Sequence, residues 1–361
     1  MGDLASKAQD SGSSSLAQLG DRLGVHWSQL AAASERTKLK RMQLSQALAG
    51  LDSADTSIVV FGSLARNEFT KGSDIDWTLL IDGQAAPEHL AIANKIRDEI
   101  AGLEERQPGE EGIFGNLSFS HDIIHQIGGQ DDTNSNTTQR ILLLLESCVL
   151  GKPDAHDRVI GNILSRYITE DRGLWYGSGS YKVPRFLLND IARYWRTMAV
   201  DLAYKQRTRG GAGFALRTIK LRISRKLIYI AGLLSCFTYE TDLDPAQRRA
   251  MFDGGPLPVL AHLKALMMRS PLEIAAGALL PFPELDVHSE GLFSAYDDFL
   301  GLLADDDKRG RLKKIPFEDL PKDPTFKEAQ LISYRFRDAV QSIFLRSDNL
   351  LGKLTIEYGV F

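Results

Sequence analysis

With 361 residues, 43% hydrophobic and 25% charged, the chain has the composition of a globular protein and room for two domains, or for one domain with a large extension. A formal net charge of -4 excludes a surface that traps polyanions indiscriminately, so any phosphate or nucleic-acid binding must come from a local patch. There is no apolar run of the ~18 residues a membrane span needs, no basic-then-apolar secretory leader, and Cys148 and Cys236 both sit in apolar segments. The expectation is a cytoplasmic protein with free thiols and no membrane contact. In chain order, residues 1–15 read as a loose tail, and residues 16–50 as two helices packed on the sheet that follows, with Leu19, Leu23, Leu30, Leu44 and Leu48 among their apolar positions. Ile58-Val59-Val60-Phe61 has the composition of a buried strand, and Gly62-Ser63 follows with no spacer. Such a turn lets backbone N–H groups approach a phosphate. Asp74-Ile75-Asp76 opens a second apolar run, Trp77 to Ile81. On a strand the two aspartates share a face, with Cα atoms roughly 6–7 Å apart, while Ile75 points to the core. Paired carboxylates of this kind suit a hard divalent cation.

The spacing Gly62-Ser63-x-x-Arg66-x-Glu68-x-x-x-x-Ser73-Asp74-Ile75-Asp76 resembles the polymerase-β-like nucleotidyltransferase superfamily. It is most similar to uncharacterised bacterial proteins that resemble the catalytic domain of protein-PII uridylyltransferase. Short parts of the pattern are common, and a hairpin whose aspartates cap a loop would carry them too. The resemblance implies an α+β fold, a small mixed-sheet nucleotidyltransferase domain followed by a helical domain. It also implies that Gly62 and Ser63 hold the triphosphate, with Arg66 and Ser73 beside them, and that Asp74 and Asp76 hold Mg2+ or Mn2+. Arg66 and Glu68 could equally pair with each other and fix the loop.

Past Asp82-Gly83, a helix begins at Pro87 with Ile92, Ile96 and Ile100 on its apolar side, and residues 107–112 read as a turn-rich loop. Leu117 to His125 is a third strand candidate. The resemblance implies a third metal carboxylate on a neighbouring strand, and the choice lies between Asp82 and Asp122. Asp82 lies about 20 Å along the strand from Asp76, too far to share metals, so Asp122 is the expected ligand. His121 and His125 raise a zinc reading, but on a strand Asp122 points away from both, so they read as structural. Asp132 or Asn136 is a candidate cap for a helix over 141–150, and everything beyond reads as helical. Residues 156–170 form one helix, and 175–181 an aromatic, glycine-rich loop. Pro184 to Lys205 is a patterned helix with a polar stripe of Arg185, Asn189, Arg193 and Arg196, a face suited to an anion. The segment 205–226 is strongly basic, with a glycine-rich loop near its start. Arg217, Lys220 and Ser224 share one edge of its helix, the candidate clamp for the triphosphate or an acceptor phosphate. Further helices follow, with a charged loop over 304–316 and an extended tail over 354–358.

The expected organisation is a tail (1–15), N-terminal helices (16–50), a nucleotidyltransferase catalytic domain (51–130) and a helical domain (131–361). The expected activity is Mg2+-dependent transfer of a nucleoside monophosphate from an NTP to an acceptor, with Asp74, Asp76 and Asp122 in the metal site and pyrophosphate leaving. The acceptor is left open between a protein, a nucleic acid, a second nucleotide and a small molecule. The alternative is a catalytically silent module that binds nucleotide or nucleic acid through the basic helix 205–226.

Overall fold

The apolar runs on either side of the glycine turn pair with each other in the computed structural model, which describes residues 14–103, 115–175, 182–208, 211 and 213–359. Residues 1–13 of the expected tail, the 107–112 loop, most of the 175–181 loop and residues 209, 210 and 212 of the glycine-rich loop lie outside the described residues, while Ser14 caps the first helix and Ser15 opens it. The first half contains α1 (Ser15–Leu23), α2 (Ser28–Ala47), β1 (Thr56–Val60), α3 (Gly62–Ala65), β2 (Trp77–Ile81), α4 (Glu88–Gly102), β3 (Asn116–Phe119), α5 (Ser120–His125), α6 (Asn134–Leu145) and β4 (Cys148–Val149). Then come α7 (Asp154–Glu170), α8 (Arg172–Trp175), α9 (Arg185–Thr208) and α10 (Phe214–Lys220), which runs through a π-helical turn (Leu221–Arg225) into α11 (Lys226–Thr241). The chain ends with α12 (Pro245–Asp253), α13 (Pro256–Met267), α14 (Pro271–Leu279), α15 (Asp286–Ala304), α16 (Asp306–Lys314), α17 (Pro324–Phe344) and α18 (Leu350–Leu354).

The sheet order is β3-β2-β1-β4, with β1 antiparallel to β2 and β4 and with β2 parallel to β3. Every residue of β1 and β2 is buried, so apart from Thr56, Ser57 and Thr78 both strands are apolar. Their period-2 faces enter two different cores. Ile58, Val60, Trp77, Leu79 and Ile81 pack with Leu44, Leu48, Ala93 and Ile96 of α2 and α4. Val59, Phe61 and Leu80 pack with α5, α6, α7 and α9. The fold is thus α+β, a small mixed sheet followed by a helical region.

Several expectations change in detail. The N-terminal helices do not pack on the sheet alone: Leu19, Trp27, Leu30 and Ala33 join the core of α10, α11, α14, α15 and α17, and only the end of α2 reaches the sheet. The third strand stops at Phe119 and continues as α5, and the helix expected to reach residue 150 ends at Leu145 so that β4 can pair with β1. Thr133 caps α6, accepting from the Asn136 N–H at 3.1 Å, because Asp132 is drawn inward by Arg140. The charged 304–316 segment contains α16, and 355–359 is a π-helical turn rather than an extended tail.

Candidate functional site

The Phe61 N–H donates to the Asp76 carbonyl at 2.8 Å, extending the β1–β2 pairing and setting the next residue, Gly62, against Asp76. Gly62 has φ +66, and a Cβ there would lie 2.8 Å from Asp76 Oδ2. Only glycine satisfies both constraints. Its N–H is engaged by Glu146, whose Oε1 accepts at 3.0 Å. Glu146 Oε2 accepts from Arg66 Nη1 at 2.5 Å, Arg66 Nε donates to Glu68 Oε2 at 2.9 Å, and Tyr296 donates its hydroxyl to Glu68 Oε1 at 2.8 Å. Arg66, Glu68 and Glu146 are 7%, 2% and 4% exposed. Burial pushes the Glu68 carboxyl up, and Arg66 and Tyr296 oppose that rise. Burial works against the Arg66 cation too, but Glu68 and Glu146 outweigh it and raise its pKa. The turn is therefore held by a buried ionic network, and Arg66 is a strut of that network rather than a group facing a ligand.

Asp74 and Asp76 are half-buried and Ile75 between them is 0% exposed, as the alternating pattern requires. Asp76 is pushed up to about 6, first by burial, then by Glu146 and Asp74, against the pull of Arg225 and Lys220. Lys220 is pushed down to about 8 by burial and by Arg309 and Arg225, while Asp74 and Asp76 hold it up. Lys220 and Arg225 thus act on Asp76, Lys220 acts on Asp74 as well, and Arg309 acts on Lys220. Arg225 occupies the last position of the π-helical turn, and its Nη1 lies 3.8 Å from Met198 Sδ. Burial lowers its pKa, but Tyr194 and Glu146 more than compensate. Arg309 is 3% exposed; its Nη1 donates to Thr70 Oγ1 at 3.1 Å, and a Cβ on Gly72 would lie 3.0 Å from its Cδ.

The remaining expected residues fall as follows. Ser63 is half-buried in α3 beside Gly62. Ser73 is turned into the loop, with its Oγ accepting from the Thr70 N–H at 3.1 Å. Ser224 donates its hydroxyl to the Lys220 carbonyl at 3.1 Å, and of the proposed edge it is Lys220 whose charge acts on the aspartates. Arg217 lies against Gly213, one turn earlier on α10. Asp122 is not brought to the pair. Because β3 runs parallel to β2, with Phe119 opposite Ile81, the residues after β3 leave the sheet at the end remote from Asp76, about 16 Å along the strand. Asp122 is exposed on α5 and accepts from Gln126 Nε2 at 3.2 Å. Asn116 and Ser118 occupy the β3 positions on the Asp76 face, and Ser118 Oγ is 2.9 Å from Thr78 Oγ1. Asp82, at the same remote end, pairs with Arg158 Nε at 2.8 Å. Among the described residues no group of three or more His, Cys, Asp or Glu is arranged to hold a metal ion.

The polar stripe of α9 has a different use from the one expected. Arg193 pairs with Asp132 at 3.0 Å, and the Arg185 guanidinium lies 5.3 Å from the centre of the Tyr358 ring. A groove of about 900 Å³ follows this face, lined by Asn189, Arg193, Arg196, Tyr204 and Tyr358 among others, and neither Asp74 nor Asp76 borders it.

Glu146, Arg225 and Arg309 were missed from the sequence. A signal existed for Glu146, a lone acid closing the run Leu142 to Leu145, since a buried carboxylate needs a cation. None existed for Arg309, which sits in a segment that reads as solvated charge.

Residues 41–108 match the nucleotidyltransferase domain family, a span that contains the Gly62 turn and both aspartates. Over that span the chain is similar to nucleotidyltransferase domains of the polymerase-β-like kind. A comparison with curated proteins finds no match. Among the described residues no helix is long and apolar enough to cross a membrane.

Proposed function

We propose that the chain transfers a nucleoside monophosphate from an NTP to an acceptor, releasing pyrophosphate, and that Asp74 and Asp76 bind the metal the reaction uses. The observation that carries this is the pair of half-buried carboxylates at the start of β2, with Asp76 set against the Gly62 turn and with Lys220 and Arg225 acting on it. The match to the nucleotidyltransferase domain supports the same reading, and the spacing from Gly62 to Asp76 favours a place near the protein-PII uridylyltransferases. The donor set fits Mg2+ or Mn2+: two half-buried oxygen ligands on one face, with Asp76 raised partly by Asp74, a repulsion that a dication relieves. Mg2+ commonly takes one or two carboxylates and completes its shell with phosphate oxygens and water, so two protein ligands suffice. When bound, the metal supplies charge neutralisation at the transferring phosphoryl group.

The chain's own residues divide the rest of the work. Glu146 and Arg66 fix Gly62, so the α3 N–H groups after it are presented to phosphate oxygens in one geometry. Lys220, Arg225 and Arg309 offset the charge that builds on the leaving pyrophosphate. The acceptor oxygen attacks the α-phosphorus, the bond from that phosphorus to the bridging oxygen breaks, and the pyrophosphate takes the electron pair. Incubation with Mg2+ and each NTP, labelled in turn at the α- and γ-phosphate, tests this reading. The α-label should pass to an acceptor while the γ-label leaves as pyrophosphate. Nucleotide binding without transfer of either label, in the presence of cell-extract protein, RNA and small molecules, would replace the proposal with a silent nucleotide-binding module.

A further inference from the structure

We propose that His121 and His125 form a second, separate metal site, a two-imidazole chelate for a borderline divalent transition-metal ion such as Cu2+, Ni2+ or Zn2+. As a strand, 117–125 would hold Asp122 away from both rings and prevent convergence. As α5 it places the two histidines four residues apart, one above the other on one helical face. Their ring centroids are 5.0 Å apart, and both side chains are exposed. That separation is what chelation requires. With a metal–nitrogen bond of about 2.1 Å, a nitrogen about 1.1 Å from its ring centre and a tetrahedral angle, the two centroids come to roughly 5.2 Å.

The turn that carries the rings is fixed from behind. Ile123 and Ile124 are 1% and 4% exposed in the core. Arg140 Nη1 donates to the Ile123 carbonyl at 3.1 Å, and Arg166 Nη1 donates to the Ile124 and His125 carbonyls at 3.2 and 3.4 Å. Little backbone entropy is left to lose when a metal binds. Of the charges around this turn, Arg166 is paired with Glu170, and Asp122 adds a carboxylate on the same turn. Imidazole donors favour Cu2+, Ni2+ and Zn2+, whereas Mg2+ prefers carboxylates and water, so this site and the aspartate pair select different ions. Two protein ligands leave the remaining positions to water or to a donor from a bound molecule.

The test uses the full chain without a histidine tag, titrated with Cu2+ alone by calorimetry, with wild type compared to His121→Gln, His125→Gln, the double variant and His89→Gln. Glutamine keeps a polar, helix-compatible side chain at an exposed position, so folding is preserved and is checked by circular dichroism. Wild type should bind one Cu2+ with affinity at least about tenfold above each single variant, because each loses one arm of the chelate. Electron paramagnetic resonance should show nitrogen coupling in the wild-type complex that the double variant lacks. His89, whose Nδ1 accepts the Ala86 N–H at 3.3 Å, serves as control and should leave binding unchanged. Equal affinity in wild type and double variant would overturn the proposal. So would wild-type affinity in either single variant, or an equal loss in His89→Gln.

Discussion

Replacing Arg66 by methionine separates the two roles this residue could have. The methionine keeps much of the length of the stem but leaves Glu68 and Glu146, 2% and 4% exposed, without the guanidinium that pairs with both. Removing one partner from a buried ionic cluster costs about 3–5 kcal/mol, chiefly because the stranded charges stay desolvated. In a protein of this size that is about 4–7 °C in Tm. The loss should also depend on pH. Without Arg66, burial and the repulsion of Glu146 raise the folded-state pKa of Glu68 further above the ordinary value of 4.5, a direction it already shows in the native protein. A folded pKa above the unfolded one gives stability that is fully present below the unfolded value and is lost as pH rises through the folded value. The gap between variant and wild type should therefore be smaller at pH 5 than at pH 8. Urea unfolding at both values, alongside NTP affinity, makes the measurement. An Arg66→Met protein with wild-type stability and selectively weakened NTP binding would show that Arg66 faces the nucleotide, which the buried network excludes.

Asp76→Ala should abolish transfer and leave the fold intact, whereas Asp122→Ala, exposed on α5, should keep most of the activity; equal loss in a labelled-NTP assay would return Asp122 to the site. Because burial lowers Lys220 to about 8, its charge is present below that value and lost above it, so NTP affinity should fall as pH rises through about 8. Lys220→Arg, which stays charged, should move that limb upward in a binding titration, and an unchanged limb would assign it elsewhere. His156 is 0% exposed, its Nε2 lies 2.8 Å from Ser147 Oγ, and burial lowers its pKa from 6.5 to about 4. The unfolded chain takes up a proton that the folded one refuses, so stability present above pH 6.5 should decline by about 3 kcal/mol on the way to pH 4. Denaturant unfolding of His156→Gln should lack that share of the acid loss.

What was legible in the sequence was local. Gly62, Ser63, Asp74 and Asp76 lie within fifteen residues, and strand period and turn chemistry fix their relation before any tertiary contact forms. The helix expected over Pro184 to Lys205, observed over Arg185–Thr208, was legible for the same reason, from its 3.6-residue pattern. Asp122 was misplaced because a short run such as Leu117 to Ile124 satisfies strand and helix alike, and pairing with β2, not composition, decides where the strand stops. The 304–316 segment misled in the opposite sense. Charge density there signals solvent, yet Arg309 points inward and bonds to Thr70, 239 residues earlier.

The same separation explains how the site is assembled. The carboxylates come from the approach to β2, and the cations from α16 and from the α10–α11 helix with its π-helical turn. A π-helical turn adds a residue to the helix, so Arg225 follows Lys220 at a rotation an unbroken α-helix would not give. Lys220 and Arg225 can then both act on Asp76, while Arg222 between them is exposed. Glu146 joins the two halves from the other direction, leaving the end of α6 to hold the Gly62 N–H. Tyr296 of α15 does the same through Glu68. The span 41–108 thus holds the paired aspartates but neither Lys220 nor Arg225, and its glycine turn is braced by a residue outside it. In the proposed site the helical region supplies part of the chemistry, and the helices that carry Lys220, Arg225 and Arg309 are held by one core through Ile219, Ile223 and Leu312.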